Sequence, residues 1–148
     1  MKKILTLLVG VLCFVAAASA QPRAFGARLG YGAEISYQYS LGEAFAEMDL
    51  GLIGNDGVYV TGVYDFSLGS AGIFSFYAGP GVQLGAHNYK DTDGNILKFN
   101  MAIVGQIGTE VQFDSVPLNL SLDWRPAFSF INGAFGWTGF ALGVRYRF

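Results

Sequence analysis

Apolar and polar residues alternate with a period of two along almost the whole chain beyond residue 24, and no segment there sustains a helical period. From Phe25 to Tyr39 every odd position is apolar or aromatic, while the even positions are glycine or polar. Clusters of Gly, Asn, Asp, Ser and Pro interrupt the pattern at "SLGE", "GNDG", "LGSAG", "HNYKDTDGN", "DSVP" and "NGAFG". They delimit seven strand-like segments near 25–40, 43–53, 57–68, 72–87, 97–113, 116–130 and 135–148.

Each segment sorts its side chains onto two faces. Met48, Leu50 and Leu52 oppose Glu47, Asp49 and Gly51; Met101, Ile103 and Ile107 oppose Asn100, Gln106 and Glu110; Leu118, Leu120, Leu122 and Trp124 oppose Asn119, Ser121, Asp123 and Arg125. Two architectures carry such alternation: a soluble barrel with an apolar interior, and a membrane barrel with an apolar exterior. The polar face here mixes a few charges of both signs with Gly26, Gly30, Gly51, Gly79, Gly81, Gly85, Gly139 and Gly143, which suits a crowded interior better than a solvated surface. The apolar face carries large residues throughout and aromatics near segment ends (Tyr37, Tyr39, Tyr64, Phe66, Phe128, Phe130, Tyr146, Phe148), as membrane interfaces favour. The expected fold is therefore all-β, a transmembrane barrel with a packed polar lumen.

Residues 1–20 stand apart from this pattern. Lys2 and Lys3, the apolar run Ile4 to Val15 and the small residues Ala18-Ser19-Ala20 have the three parts of a cleavable signal peptide, so a mature chain of about 128 residues from Gln21 is expected to form one barrel domain, 21–148. Cys13, the one cysteine, falls inside the signal, which leaves the mature chain no disulfide and no thiolate ligand. Without Lys2 and Lys3, seven basic residues face eleven acidic ones, a net charge of about −4 that excludes the basic footprint of a nucleic-acid binder. Hydrophobic residues make up 52% of the chain and charged ones 14%, yet no apolar run outside the signal approaches the length of a spanning helix.

The C-terminal "FALGVRYRF" ends on an aromatic residue after apolar residues at alternate positions. With "LNLSLDWRPAFSF", "FYAGPGVQLG" and the signal segment, it resembles the small eight-stranded OmpA/OmpX-like outer-membrane β-barrel family over nearly all of the mature chain. That resemblance implies an antiparallel up-and-down barrel in the cell envelope of a Gram-negative bacterium, with both termini in the periplasm. It also implies an assembly signal at Phe140, Leu142, Val144, Tyr146 and Phe148. Outer-membrane lipids including lipopolysaccharide and the barrel assembly machinery are the partners it implies, and a monomer is its expected state.

Seven segments conflict with the even strand number of bacterial single-chain barrels. One strand from Phe25 to Ser40 would run roughly 53 Å at about 3.3 Å per residue, against a membrane band about 25 Å tall. A three-residue turn at Gly30-Tyr31-Gly32, with Leu29 opposite Ala33, removes both problems, because an odd loop keeps odd residues on the same face. The same parity holds across "NDG" and "GSA" and reverses across "SLGE" and "DS". The outward loops are then 30–32, 54–56, 87–96 and 131–137, of which the last two are the longest.

The inward face should carry Arg28, Lys98, Arg125, Arg145 and Arg147 against Glu34, Glu47, Asp49, Asp65, Glu110 and Asp123. Eight strands leave an interior just wide enough for side chains, so these charges are expected to neutralise one another as a plug rather than line a conduit. His87, beside Asp91 and Asp93, has no serine nucleophile placed near it, and "DTDGN" lacks the later bidentate Glu of a calcium loop. Neither catalytic residues nor a metal or cofactor site is expected. Two functional classes remain: a non-enzymatic structural or interaction barrel with short surface loops, and a narrow conduit or binding barrel for a small compound, lipophilic ones included. Asn95, Phe99, Phe135 and Trp137 near the rim are the candidate contacts for the second.

Overall fold

The computed structural model describes residues 23–30, 32–53, 57–88, 97–130, 133 and 135–148, so the signal segment and most of the long loop after residue 88 lie outside the described residues. Ten strands are formed: β1 (Arg23–Leu29), β2 (Ala33–Ser40), β3 (Ala44–Ile53), β4 (Gly57–Ala71), β5 (Phe74–Asn88), β6 (Leu97–Gln112), β7 (Leu118–Trp124), β8 (Ala127–Ser129), β9 (Phe135–Gly136) and β10 (Phe140–Arg147). They make eight staves, because β7 and β8 are two parts of one and β9 and β10 two parts of the next. Every neighbouring pair is antiparallel, and β1 pairs with β10 while β5 pairs with β6, which closes the sheet into an eight-stranded barrel. The two ends of the chain finish the seam, with Arg23 N donating to Phe148 O and Phe148 N to Arg23 O.

The register sets the barrel's dimensions. A path of directly paired residues from Leu118 runs through Tyr146, Phe25, Tyr37, Met48, Gly62, Val82 and Ile103 and returns to the starting stave at Phe128, ten residues further on. Eight staves with that stagger tilt by about 40° and give a backbone radius of about 8 Å. Such a tube holds side chains and little else. The turn at 30–32 is the one expected: Leu29 pairs with Ala33, and Gly30 N donates to Gly32 O at 3.0 Å.

Four boundaries differ from the sequence pattern, and backbone geometry accounts for the first three. The break near "LGSAG" is displaced, since β4 continues to Ala71 and turns over Gly72 and Ile73, with Gly72 at φ 62°. That two-residue turn would flip the faces, but Leu68 bulges between the Ser67–Tyr77 and Gly69–Phe76 pairs and restores them. Segment 116–130 is interrupted at Arg125 and Pro126, where proline has no N–H for the ladder; register is kept across the gap by Gly105 N donating to Pro126 O. The last outward loop is shorter than 131–137, because Phe135–Gly136 pairs with β8 and residues 137–139 oppose only 125–126, forming a second one-residue bulge. His87 belongs to β5, its backbone paired with Gly57 and Lys98, rather than to the loop.

Outward faces carry the apolar residues and inward faces the polar ones. Leu29 and Leu142 are each 62% exposed, whereas Ser36, Asp49, Thr61, Asp65 and Arg145 are fully buried. A soluble monomer rarely exposes a contiguous apolar patch beyond a few hundred Å², and here the apolar surface encircles the molecule. The described residues contain no helix long and apolar enough to cross a membrane, an absence that says nothing of a β-barrel.

Glycine spacing serves this inward packing. Gly51 lies under the ring of its cross-strand partner Tyr59, and Gly108 under that of Tyr77, so each tyrosine folds flat over a position without a Cβ. On the inward face of β5 a Cβ at Gly79 would overlap the Tyr64 carbonyl, while outward-facing Gly62 has open space around it. Gly79→Ala should therefore lower stability by about 1–3 kcal/mol and Gly62→Ala leave it unchanged, read from urea midpoints of the refolded barrel in detergent micelles.

Candidate functional site

The inward residues converge on three arginines. Arg28 on β1 donates through Nη1 to Glu34 Oε2 at 2.6 Å on the adjacent β2, and through Nε and Nη2 to Asp123 on β7, past the intervening β10. Glu34 is also held by the Tyr59 hydroxyl at 2.6 Å. Arg125, at the break between β7 and β8, donates through Nη2 to Glu47 Oε1 at 2.8 Å and Asp49 Oδ2 at 2.6 Å, and through Nε to Gln106 at 2.6 Å. Arg145 on β10 donates to Ser36 at 2.9 Å and Ser121 at 2.8 Å and lies 3.1 Å from Glu47. Gly143 leaves the room for that guanidinium, since a Cβ there would come within 2.8 Å of Nη1.

Charge-assisted hydrogen bonds of this kind are the ones that compensate for burying an ion. Asp123 accepts from Arg28 through two nitrogens and from the Tyr77 hydroxyl, while Glu47 accepts from Arg125 and the Gln38 amide and forms an ion pair with Arg145 at 3.1 Å. The arrangement therefore couples β1, β2, β3, β7 and β10 through side chains as well as through the backbone ladder.

Not every expected member of the network is an ion-pair partner. Asp65 is fully buried but is bonded by the Gln106 amide rather than by an arginine, and Glu110 accepts from Gln112. Arg147 stands at the terminal end of the lumen, where it lines a cavity with Glu110 and donates to Gln112 and to the Phe113 carbonyl at the β6–β7 turn. The Lys98 side chain lies outside the described residues. Tyr59, Tyr77, Gln38 and Gln106 were not legible as network members. Tyr59, Tyr77 and Gln38 are revealed by their opposition to Gly51, Gly108 and Glu47, and Gln106 by its reach past Gly79 on β5 to Asp65 on β4, all of which depend on register.

The network divides the lumen. Toward the chain termini lies a cavity of about 310 Å³ lined by Arg23, Gln38, Glu110, Asn119 and Arg147 among others. Toward the opposite, loop end lies one of about 220 Å³, whose walls include Arg28, Glu34, Tyr59, Thr61, Gln83 and Arg125. Phe99, Phe135 and Trp137 are exposed on the outer wall instead of facing either cavity. Phe135, Trp137, Trp124 and Phe140 form a continuous row of aromatic contacts there, with the Trp124 indole N–H donating to Trp137 O at 2.8 Å. Asn95, Asp91 and Asp93 lie outside the described residues, and no group of three or more His, Cys, Asp or Glu among the described residues is arranged to hold a metal ion.

Comparison with solved structures finds Neisserial surface protein A (NspA), an eight-stranded outer-membrane β-barrel, with a TM-score of 0.57 over 86% of this chain and 94% of that one at 12% sequence identity. The fold is that of a small outer-membrane β-barrel. No protein-family model matches the sequence, and no curated relative matches it. At that identity the likeness to NspA concerns the course of the backbone, so the side-chain network has to be judged on its own contacts.

Removing one partner from a buried ion pair strands the other. Arg125→Met should thus destabilise the barrel by about 3–5 kcal/mol, and adding Glu47→Gln and Asp49→Asn should recover part of the loss, both measured as shifts in the urea unfolding midpoint.

Proposed function

We propose that this chain is an OmpA/OmpX-like outer-membrane protein of structural or interaction type: a monomeric, non-enzymatic barrel with a closed lumen and short outward loops. The observation that carries this reading is the arginine network, which lies in the lumen between its two cavities and commits the guanidinium groups of Arg28, Arg125 and Arg145 to partners on other staves. A tube of about 8 Å backbone radius filled in this way has no continuous aqueous path of ion width.

In this reading the signal peptide is removed after Ala20, the barrel end where Arg23 pairs with Phe148 faces the periplasm, and the opposite end, where Gly30 and Gly32 lie, faces outward. Outer-membrane lipids, including lipopolysaccharide, surround the apolar band. The assembly machinery reads Phe140, Leu142, Val144, Tyr146 and Phe148, all of which are exposed on the outer wall.

In planar bilayers the purified protein should give no stepwise conductance; a stable open state of hundreds of picosiemens would overturn the closed-lumen reading. In cells the mature chain should fractionate with the outer membrane and migrate faster on a gel before boiling than after. A chain that remains soluble after signal cleavage contradicts the address. The loop-end cavity favours a second reading, a barrel that binds a small compound without passing it.

A further inference from the structure

The outer wall is much taller on one side of the barrel than on the other. β1 and β2 have 7 and 8 residues, whereas β4, β5 and β6 have 15, 15 and 16. On a sheet tilted by about 40°, each residue along a strand climbs about 2.5 Å, and each step between directly paired residues in the direction β1 to β6 rises about 3 Å toward the loop end. Five such steps lead from Leu29, the last residue of β1, through Ala33, Leu52, Val58 and Ala86 to Phe99, which therefore stands about 15 Å above Leu29.

The terminal ends, by contrast, are level. Five steps from Phe25 reach Ile103, about 15 Å higher, and the nine residues from there to Gln112 descend about 23 Å, which brings the end of β6 to within about 3 Å of Arg23. The whole difference in height lies at the loop end.

Apolar side chains follow this sloping edge. Leu29, Leu52, Val58 and Phe99 are all exposed on the outer wall, and so is Phe130, whose backbone N–H donates to Met101 O near the top of β6. The return to β1 runs down the last stave along the contacting rings of Phe135, Trp137, Trp124 and Phe140. Phe135 pairs with Phe128 and Phe140 with Trp124, four residues apart, so this row descends about 10 Å. Aromatic residues of this kind gather at the head-group level of a membrane.

A flat hydrocarbon band does not fit such an edge. With its surface at Leu29, Phe99 and Phe130 stand in water; with its surface at Phe99, the turn at Gly30 and Gly32 is submerged in lipid, where turn backbone is not tolerated. β1 spans only about 18 Å along the axis, against a band about 25 Å tall. A bilayer meets a short apolar wall by thinning locally.

We propose that the bilayer is locally thinned beside β10, β1 and β2, its loop-end surface dipping to the short β1–β2 hairpin and rising along the aromatic row toward β6 and β8. Gly30 and Gly32 at the bottom of the dip also line the loop-end cavity, so lipid head groups stand at the level of that cavity on this side of the barrel. The inference goes beyond the closed-lumen reading and takes from it only the orientation that makes the thinned leaflet the outer one.

Spin-label depths test it. Cys13 of the signal segment is the one cysteine of the sequence, so single-cysteine variants of the mature chain carry one nitroxide each. Leu29→Cys and Ile103→Cys are labelled, folded into palmitoyl-oleoyl phosphatidylcholine vesicles and checked for heat-modifiable gel migration; depth is read by electron paramagnetic resonance from accessibility to oxygen and to a nickel chelate. Ile103 stands about 5 Å above Leu29, so in a flat bilayer its label is the shallower of the two. Local thinning reverses the order: the Leu29 label should be the shallower by about 5 Å, and the difference should shrink in thinner dilauroyl vesicles. Where Leu29→Cys does not fold, Ala33→Cys on β2 takes its place with the same expected order. An Ile103 label as shallow as the Leu29 label, or shallower, overturns the proposal. Labels at Tyr39 and Val111, near the terminal-end surface, should lie within about 3 Å of each other in depth; a Tyr39 label much deeper than the Val111 label means a rigidly tilted barrel and also overturns it. Bilayer recordings read the lumen separately: the flat order with no conductance defeats this inference alone, whereas an open conductance defeats the closed-lumen reading.

Discussion

The lumen is narrow and its wall carries buried charges, so its three central arginines are held by partners on other staves. Arg28 reaches Asp123, Arg125 reaches Glu47 and Asp49, and Arg145 reaches Ser36, pairs separated by 95, 78, 76 and 109 positions in sequence. Each such bond joins staves that the backbone ladder does not make neighbours or that meet far from one another along the chain. In an interior of low dielectric these contacts are strong when complete, and a single missing partner is costly. The network therefore acts as filler, cross-brace and closure of the tube at once.

The rest of the architecture serves to keep those inward positions inward. A one-residue error in any hairpin would turn every following charge toward lipid. Two bulges prevent this, one at Leu68 after a two-residue turn and one at residues 137–139 opposite the Arg125-Pro126 break. The second bulge has a further effect: Arg125 leaves the ladder, its backbone N–H donates to Gly139 O, and its side chain is free to reach β3. Inward tyrosines are accommodated by glycine on the facing strand, so the same small residues that pack the wall also admit Tyr59 and Tyr77 to the network.

Architecture was legible because period-two alternation is a property of the chain itself. Even the turn at Gly30–Gly32 could be placed, since a strand from Phe25 to Ser40 is too long for a bilayer and an odd turn alone preserves its faces. Turn positions were less legible where a bulge compensates for loop length, as at Gly72, because parity reports only the sum of the two. The charged members of the network could be assigned to the inward face, but their partners could not. Asp65 finds an amide, Arg147 finds a rim carbonyl, and Arg23 is buried near the seam between the first and last strands.

Taken alone, the sequence determined which residues face lipid and which face the lumen, that the strands are joined by short turns, and that apolar surface surrounds a polar interior. These follow from alternation and from the height of a bilayer, both of which are local constraints. Tertiary structure decided the stagger of ten residues around the barrel, and with it which inward residues meet. Stagger is a global property of closure: it is fixed only when the last strand pairs with the first. For that reason the convergence of Arg28 and Tyr77 on Asp123, the bracing of Arg125 against Glu47 and Asp49, and the cavities on either side of them exist only in the closed barrel.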